Sequence, residues 1–145
     1  MRTTLYLAGP LFGLADQAHN LKLATELQML GYKVILPQMY NFGTLGETVS
    51  QCYADAYEAD VMVANIDGTD ADSGTALEVG YRGLDKLTIL YRTDFRTQVD
   101  QELGMNGMFK RFPLVYAPIA DIAIDVDKAY RNLANLIHEE VERLL

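Results

Sequence analysis

Two carboxylates six residues apart, in Asp72-Ser-Gly-Thr-Ala-Leu-Glu78, carry the clearest chemistry in this chain of 145 residues. They follow an apolar run, Val61 to Ile66, and an acidic, glycine-bearing stretch, Asp67-Gly-Thr-Asp-Ala-Asp72. That order predicts a buried strand, a loop and a helix opening at Asp72 or Ser73, whose side-chain oxygens can accept an orphan N–H of the first turn. Glu78 then lies about two turns inside the helix. With Ala76, Leu77 and Gly80 packed on the sheet, Glu78 is expected beside the loop, where the positive end of the helix dipole favours its ionised form. Such a group suits a carboxylate nucleophile, with Asp72 as a second acid. The plainer alternatives are a surface helix pair between Glu78 and Arg82, and a simple N-cap role for Asp72.

The elements that must hold these groups follow from hydrophobic patterning. Thr4–Ala8, Lys33–Leu36, Val61–Ile66, Leu87–Tyr91 and Leu114–Tyr116 are apolar runs without period-two alternation, as expected of strands covered on both faces. Leu21, Leu23, Ala24, Leu27 and Leu30 form one helical stripe ending at Gly31, and Val49, Cys52, Tyr53, Ala56 and Tyr57 form a second. The helix from Asp72 is the third, and Val126 to Leu145 closes the chain as a long fourth. Strand–helix alternation predicts an α/β, flavodoxin-like three-layer sandwich with a five-stranded parallel sheet in the order 2-1-3-4-5. Residues 1–145 are read as a single domain. In this order ligands bind beyond the carboxyl ends of strands 1 and 3, where Gly9-Pro-Leu-Phe12 and Asn65 to Glu78 emerge. Thr93–Phe112 is the least regular stretch, an expected active-site or interface loop.

Composition narrows the partners. Twelve basic against twenty acidic residues give a formal charge of −8, and no Lys/Arg cluster extends beyond Lys110-Arg111, so the footprint of a nucleic-acid binder is missing. Lone Cys52 excludes an internal disulfide, and His19 and His138 are too far apart to suggest a metal site; both are expected on the surface. Asp67 and Asp70 could bind a metal by composition but are better read as turn residues. Arg92 and Arg96 suit either a phosphate or an ion pair with Asp94. Leu5 to Ala15 is interrupted by Gly9-Pro10, and its Leu5-Tyr-Leu-Ala8 part reads as the first strand rather than as a leader peptide. No run reaches the ~18 apolar residues of a membrane span, so a soluble, cytoplasmic protein is expected.

Taken together, Tyr6-Leu-Ala-Gly-Pro10, Ala59-Asp-Val-Met-Val-Ala64, the Asp72–Tyr81 block, Arg92-Thr-Asp-Phe-Arg96 and Asn106-Gly-Met108 resemble the nucleoside 2-deoxyribosyltransferase family. The resemblance implies that Glu78 attacks the anomeric carbon of a 2-deoxynucleoside, that Asp72 exchanges a proton with the base, and that Tyr6 orients the glutamate. It implies substrate contacts from Gly9, Pro10, Phe12, Ser73 and Gly74. It also implies that Asn106 and Met108 reach a neighbouring subunit's pocket, so that the protein works as a homodimer or larger homo-oligomer. Where the family carries Asp or Asn toward the sugar hydroxyls, this chain has Cys52; Asp55, on nearly the same helix face, is the expected substitute. The partners are a nucleoside and a free nucleobase, with no metal and no cofactor, as in base salvage. Two alternatives stay open: an N-glycosidase of 2-deoxynucleoside 5′-monophosphates, and a non-catalytic nucleoside- or nucleotide-binding module of the same fold.

Overall fold

Five parallel strands, β1 (Thr4–Ala8), β2 (Lys33–Ile35), β3 (Val61–Asn65), β4 (Thr88–Arg92) and β5 (Leu114–Tyr116), form one sheet in the order β2-β1-β3-β4-β5. The computed structural model describes residues 1–96, 104–119 and 125–145. Between the strands lie α1 (Leu14–Met29), α2 (Leu45–Glu58) and α3 (Ser73–Arg82), and α4 (Val126–Leu144) follows β5. The expected flavodoxin-like order is the observed one. Strand ends shift by a residue at β2, β3 and β4, and α1 and α2 begin earlier than the apolar stripes that betrayed them.

Side-chain alternation along each strand sends residues to two separate cores. Leu5, Leu7, Val61, Val63, Ile89 and Tyr91 pack with Leu23, Leu27, Leu133 and Ile137 of α1 and α4. Tyr6, Ala8, Met62, Ala64 and Leu90 pack with Ala56 of α2 and Val79 of α3. Tyr6 is therefore a core residue on the α2/α3 side, paired in register with Met62.

Several packing expectations are corrected. Leu77 is exposed, and the residues of α3 that turn inward are Thr75, Val79 and Arg82. Of the α2 stripe only Ala56 is fully buried, while Val49 and Tyr57 are open to solvent; Leu21 and Leu30 of α1 are exposed as well. His19 and His138 are not free surface residues. His19 bridges Tyr130 (2.8 Å) and Tyr91 (2.7 Å), and burial lowers its pKa; His138 meets the Tyr32 hydroxyl at 2.6 Å. Leu103 of the irregular stretch lies outside the described residues, whereas Met105 enters the α2/α3 core and residues Gly107–Arg111 form a 3-10 turn.

Arg82 does not pair with Glu78. It is 3% exposed, and its guanidinium donates to the carbonyls of Ala56 and Ala59 (2.8 Å each), Tyr57 (3.2 Å), Asp60 (2.9 Å) and Leu87 (3.0 Å). The last turn of a helix leaves carbonyls without partners, and here a neighbouring helix supplies the donors for α2. Replacing it by methionine keeps the volume and strands those acceptors. Arg82→Met is expected to lower unfolding stability by at least about 3 kcal/mol, since each buried unpaired carbonyl costs about 1–3 kcal/mol. Urea denaturation checks this; a loss below about 1 kcal/mol would show that water replaces the guanidinium.

Candidate active site

The Tyr6 hydroxyl donates a short hydrogen bond to the Glu78 carboxylate. A tyrosine in the middle of a core needs a partner for its one polar atom, and a carboxylate turned inward needs a donor. The contact answers both needs and links residues 72 positions apart in sequence. Glu78 is half-buried. Burial pushes its carboxyl above the ordinary glutamate range, the Tyr6 hydrogen bond pulls it down, and the nearby Asp72 charge pushes it up again. The expectation of a dipole-stabilised, readily ionised Glu78 is therefore corrected. The helix field acts within the first turn, and Glu78 sits beyond it. The phenol, raised well above its own range by burial and by the Glu78 charge, remains a donor throughout.

Asp72 is the N-cap of α3, as expected, with Oδ2 accepting from the Thr75 N–H (3.0 Å) and hydroxyl (3.1 Å). Capping and proximity to Glu78 coexist, because one carboxylate oxygen takes both donors and the other is left open. Ser73 and Gly74 are exposed at the same helix end.

On the α2 side, Cys52 lies close enough to Tyr6 for their side chains to interact. Burial, with the Glu78 and Asp55 charges added, raises its thiol pKa against the Tyr6 contact, so it stays protonated. Asp55, one turn further, accepts from the Tyr40 hydroxyl and from Gln51 Nε2 at 2.9 Å. Burial, the Asp55 hydrogen bond and the charges of Asp55 and Glu78 all raise the Tyr40 phenol, which places a second phenol–carboxylate pair beside the first. Tyr40 and Gln51 were not singled out in the sequence; only an alternation of hydroxyls and acids around the second helix hinted at them.

The loops behave less uniformly. Gly9 is expected to let backbone approach a ligand, yet a Cβ there would lie 3.1 Å from Asn65 Cβ, so its smallness serves the β1–β3 crossing. Pro10 offers its carbonyl to Asn20, and Phe12 projects outward, 80% exposed. Asp67 is a structural clamp: it accepts from Thr93 N (2.7 Å) and Asp94 N (2.9 Å). Among the described residues no group of His, Cys, Asp and Glu is placed to hold a metal ion. The phosphate option for the two arginines is not supported. Arg92 is buried on the carbonyls of Ile66 (2.8 Å) and Gly68 (3.0 Å), and Arg96 pairs with Asp94. Asn106 and Met108 do not join Glu78 within this chain. Asn106 Oδ1 caps Met108 N at 2.9 Å, and both line a cavity of about 620 Å³ with Ala76, Gly80 and Phe109. Ala76 and Gly80 share one stripe of α3, and Glu78 leaves from roughly the opposite one.

A parallel α/β sheet in this order has its topological switch point between β1 and β3, and the loop from β3 to the Asp72 cap of α3 emerges at that end. Residues 5–108 match the model of the nucleoside 2-deoxyribosyltransferase family, and the chain belongs to that family. Its members act on nucleosides and nucleobases. Comparison with curated protein sequences gives no match. Among solved structures, a 2-deoxyribosyltransferase of Bacillus psychrosaccharolyticus is 24% identical, with a TM-score of 0.63 over 92% of this chain and 96% of that one. A 2-desoxiribosyltransferase of Leishmania mexicana is 18% identical, at 0.62 over 92% and 97%. A CMP N-glycosidase of Clostridium botulinum is 17% identical, at 0.60 over 92% and 99%. At these identities the likeness is one of fold. No helix among the described residues is long and apolar enough to cross a membrane.

The raised Glu78 carboxyl has a definite sign. The native state holds a proton that the unfolded chain has released, so this group's stabilising contribution is full below the ordinary glutamate value and is lost as pH rises through the raised one. Titration of labelled glutamate by carbon NMR is expected to place Glu78 above the ordinary value, and higher still in Tyr6→Phe, where the ionised form loses its donor. A midpoint at or below the ordinary value in wild type would contradict the burial argument.

Proposed function

We propose that the protein transfers a 2-deoxyribosyl group from a nucleoside to a free nucleobase through a covalent intermediate on Glu78. The observation that carries this reading is the Tyr6–Glu78 hydrogen bond, which fixes a half-buried carboxylate with Asp72 as its charged neighbour. A Glu78 carboxylate oxygen attacks the anomeric carbon and forms an ester bond. The C–N bond breaks, its electron pair leaves with the base, and the base nitrogen takes a proton handed on by Asp72. An incoming base then attacks the same carbon, Asp72 takes back a proton, and Glu78 departs as carboxylate. Two displacements retain configuration, and water in the second gives hydrolysis as a side reaction. The balance closes without metal or cofactor, because the anionic carboxylate itself stabilises the developing oxocarbenium charge. The raised Glu78 pKa and the transfer chemistry are compatible: a less comfortable carboxylate is a stronger nucleophile toward a cationic centre.

Gly9, Pro10, Phe12, Ser73 and Gly74 form the mouth of this site. Asp55 takes a sugar hydroxyl where Cys52 offers only a weak thiol, since each of its oxygens has one protein donor and a lone pair to spare. Asn106 and Met108 serve a neighbouring copy, making the working unit a homodimer or larger; sedimentation of a fully active monomer would end that part of the reading. A free 5′-hydroxyl suits the site better than a phosphate. Arg82, Arg92 and Arg96 are spent on backbone carbonyls and Asp94, and the charge acting on Glu78 is that of another acid.

Wild type incubated with a 2-deoxynucleoside and a second base is expected to yield the exchanged nucleoside, and Glu78→Gln to lose at least about 1,000-fold in rate, roughly 4 kcal/mol of transition-state stabilisation. A 2-deoxy-2-fluoro nucleoside should leave a mass adduct on the peptide containing Glu78; an adduct elsewhere refutes the assignment. In the same assay deoxynucleosides are expected to exceed their 5′-monophosphates in kcat/KM. A tenfold preference for the monophosphate, about 1.4 kcal/mol, would make the protein an N-glycosidase, and ligand binding without turnover would make it a binding module.

A further inference from the structure

A closed ring of hydrogen bonds stands beside the crevice and is not used by the chemistry above. Asn20, on α1 and 7% exposed, donates from one amide nitrogen to the Pro10 carbonyl (3.0 Å) and to Gln38 Oε1 (3.0 Å). Gln38 Nε2 donates to the Gln17 carbonyl at 2.9 Å, and Gln17 Nε2 donates to the Leu11 carbonyl at 3.0 Å. Pro10, Leu11 and Gln17 present carbonyls, which only accept, so both amide orientations are dictated by their partners rather than by choice. The ring joins three segments: the Gly9–Phe12 turn after β1, the second turn of α1, and the short 3-10 turn Pro37–Met39 after β2. Tyr40, which holds Asp55, follows that turn directly and donates its N–H to the Pro37 carbonyl at 3.0 Å.

We propose that Asn20 and Gln38 are positioning residues of the transfer site, latching the Gly9–Phe12 mouth to the turn that carries Tyr40 against Asp55. This rests on the transferase reading. The physical case is one of entropy: two loops that each flank the crevice would otherwise order separately when substrate binds, and every residue ordered on binding costs affinity. Glu78, Tyr6 and Asp72 stand on α3 and β1, outside the ring. Opening the latch therefore weakens substrate binding while leaving the reacting groups in place.

The test compares wild type with Asn20→Ala, Gln38→Ala and the double variant in steady-state transfer from a 2-deoxynucleoside. Each single variant is expected to raise KM about tenfold, with kcat within about threefold and an unchanged pH profile of kcat. The double variant should fall short of the product of the two single effects, because both substitutions remove the shared Asn20–Gln38 hydrogen bond. Hydrogen exchange should quicken in residues 11–13 and 39–42 together. Gln38 is only half-buried, so Gln38→Ala keeps the test alive should Asn20→Ala fail to fold. An active wild type whose KM is unchanged in both variants, effects that simply multiply in the double variant, or exchange that quickens in one segment alone overturns the latch. A wild type inactive on every 2-deoxynucleoside removes the transferase reading and the latch's catalytic role with it, while the exchange data still decide whether the two loops are joined.

Discussion

The hydrogen bond from Tyr6 to Glu78 is the constraint on which the arrangement of this molecule turns. Tyr6 is fully buried on β1, an inner strand of the sheet, and its ring belongs to the core packed under α2 and α3. Its hydroxyl can be satisfied only by something that reaches down from above the sheet, and the third helix supplies it. For that to happen α3 has to begin at Asp72, because a start one residue away would rotate Glu78 by about 100° around the helix. The N-cap thus sets the phase of the helix, and the phase decides whether the glutamate meets the phenol or solvent. The same bond holds a carboxylate where burial and a second acid both oppose its charge. That is an unfavourable placement for a structural residue, and strained placements of this kind gather at functional sites.

The basic residues around the crevice are used in a complementary way. Arg82 closes the end of α2, Arg92 ties the β3 and β4 loops through backbone carbonyls, and Arg96 neutralises Asp94. Each spends its charge on the frame. The acids Glu78, Asp72 and Asp55 are each oriented by a hydroxyl or amide rather than by a cation. A field of that sign favours a reacting centre that becomes positive and disfavours an anionic substituent nearby. The charged groups are therefore divided: arginines hold the loops, and in the proposed transfer the carboxylates carry the chemistry.

Local order along the chain determined a good deal. Unbroken apolar runs marked all five strands, since a strand covered on both faces has no solvent side to encode. Asp72 was recognisable as a helix start because capping is a contact between residues three apart. Strand–helix alternation then allowed very few sheet orders, and the switch point follows from the order. The pairing of Glu78 with Asp72 was readable for the same reason: both lie on one short segment.

Only the tertiary structure decided what each long side chain does. Arg82 sits four residues from Glu78 and could have paired with it, but the orphan carbonyls of α2 lie nearer and bury it. His19 reads as a polar helix residue, and it is sandwiched between tyrosines contributed by β4 and α4. Leu77 looks like a core residue by type, yet the phase of α3 turns it outward. Tyr40, Asn20 and Gln38 acquire their roles from partners 10 to 21 residues away on other elements or turns. The sequence by itself determined where strands and helices lie, because those depend on periodicity and on neighbours within a turn. Which polar group satisfies which was settled only when the sheet brought distant segments together, because a buried donor or acceptor takes whichever partner the packed chain places within reach.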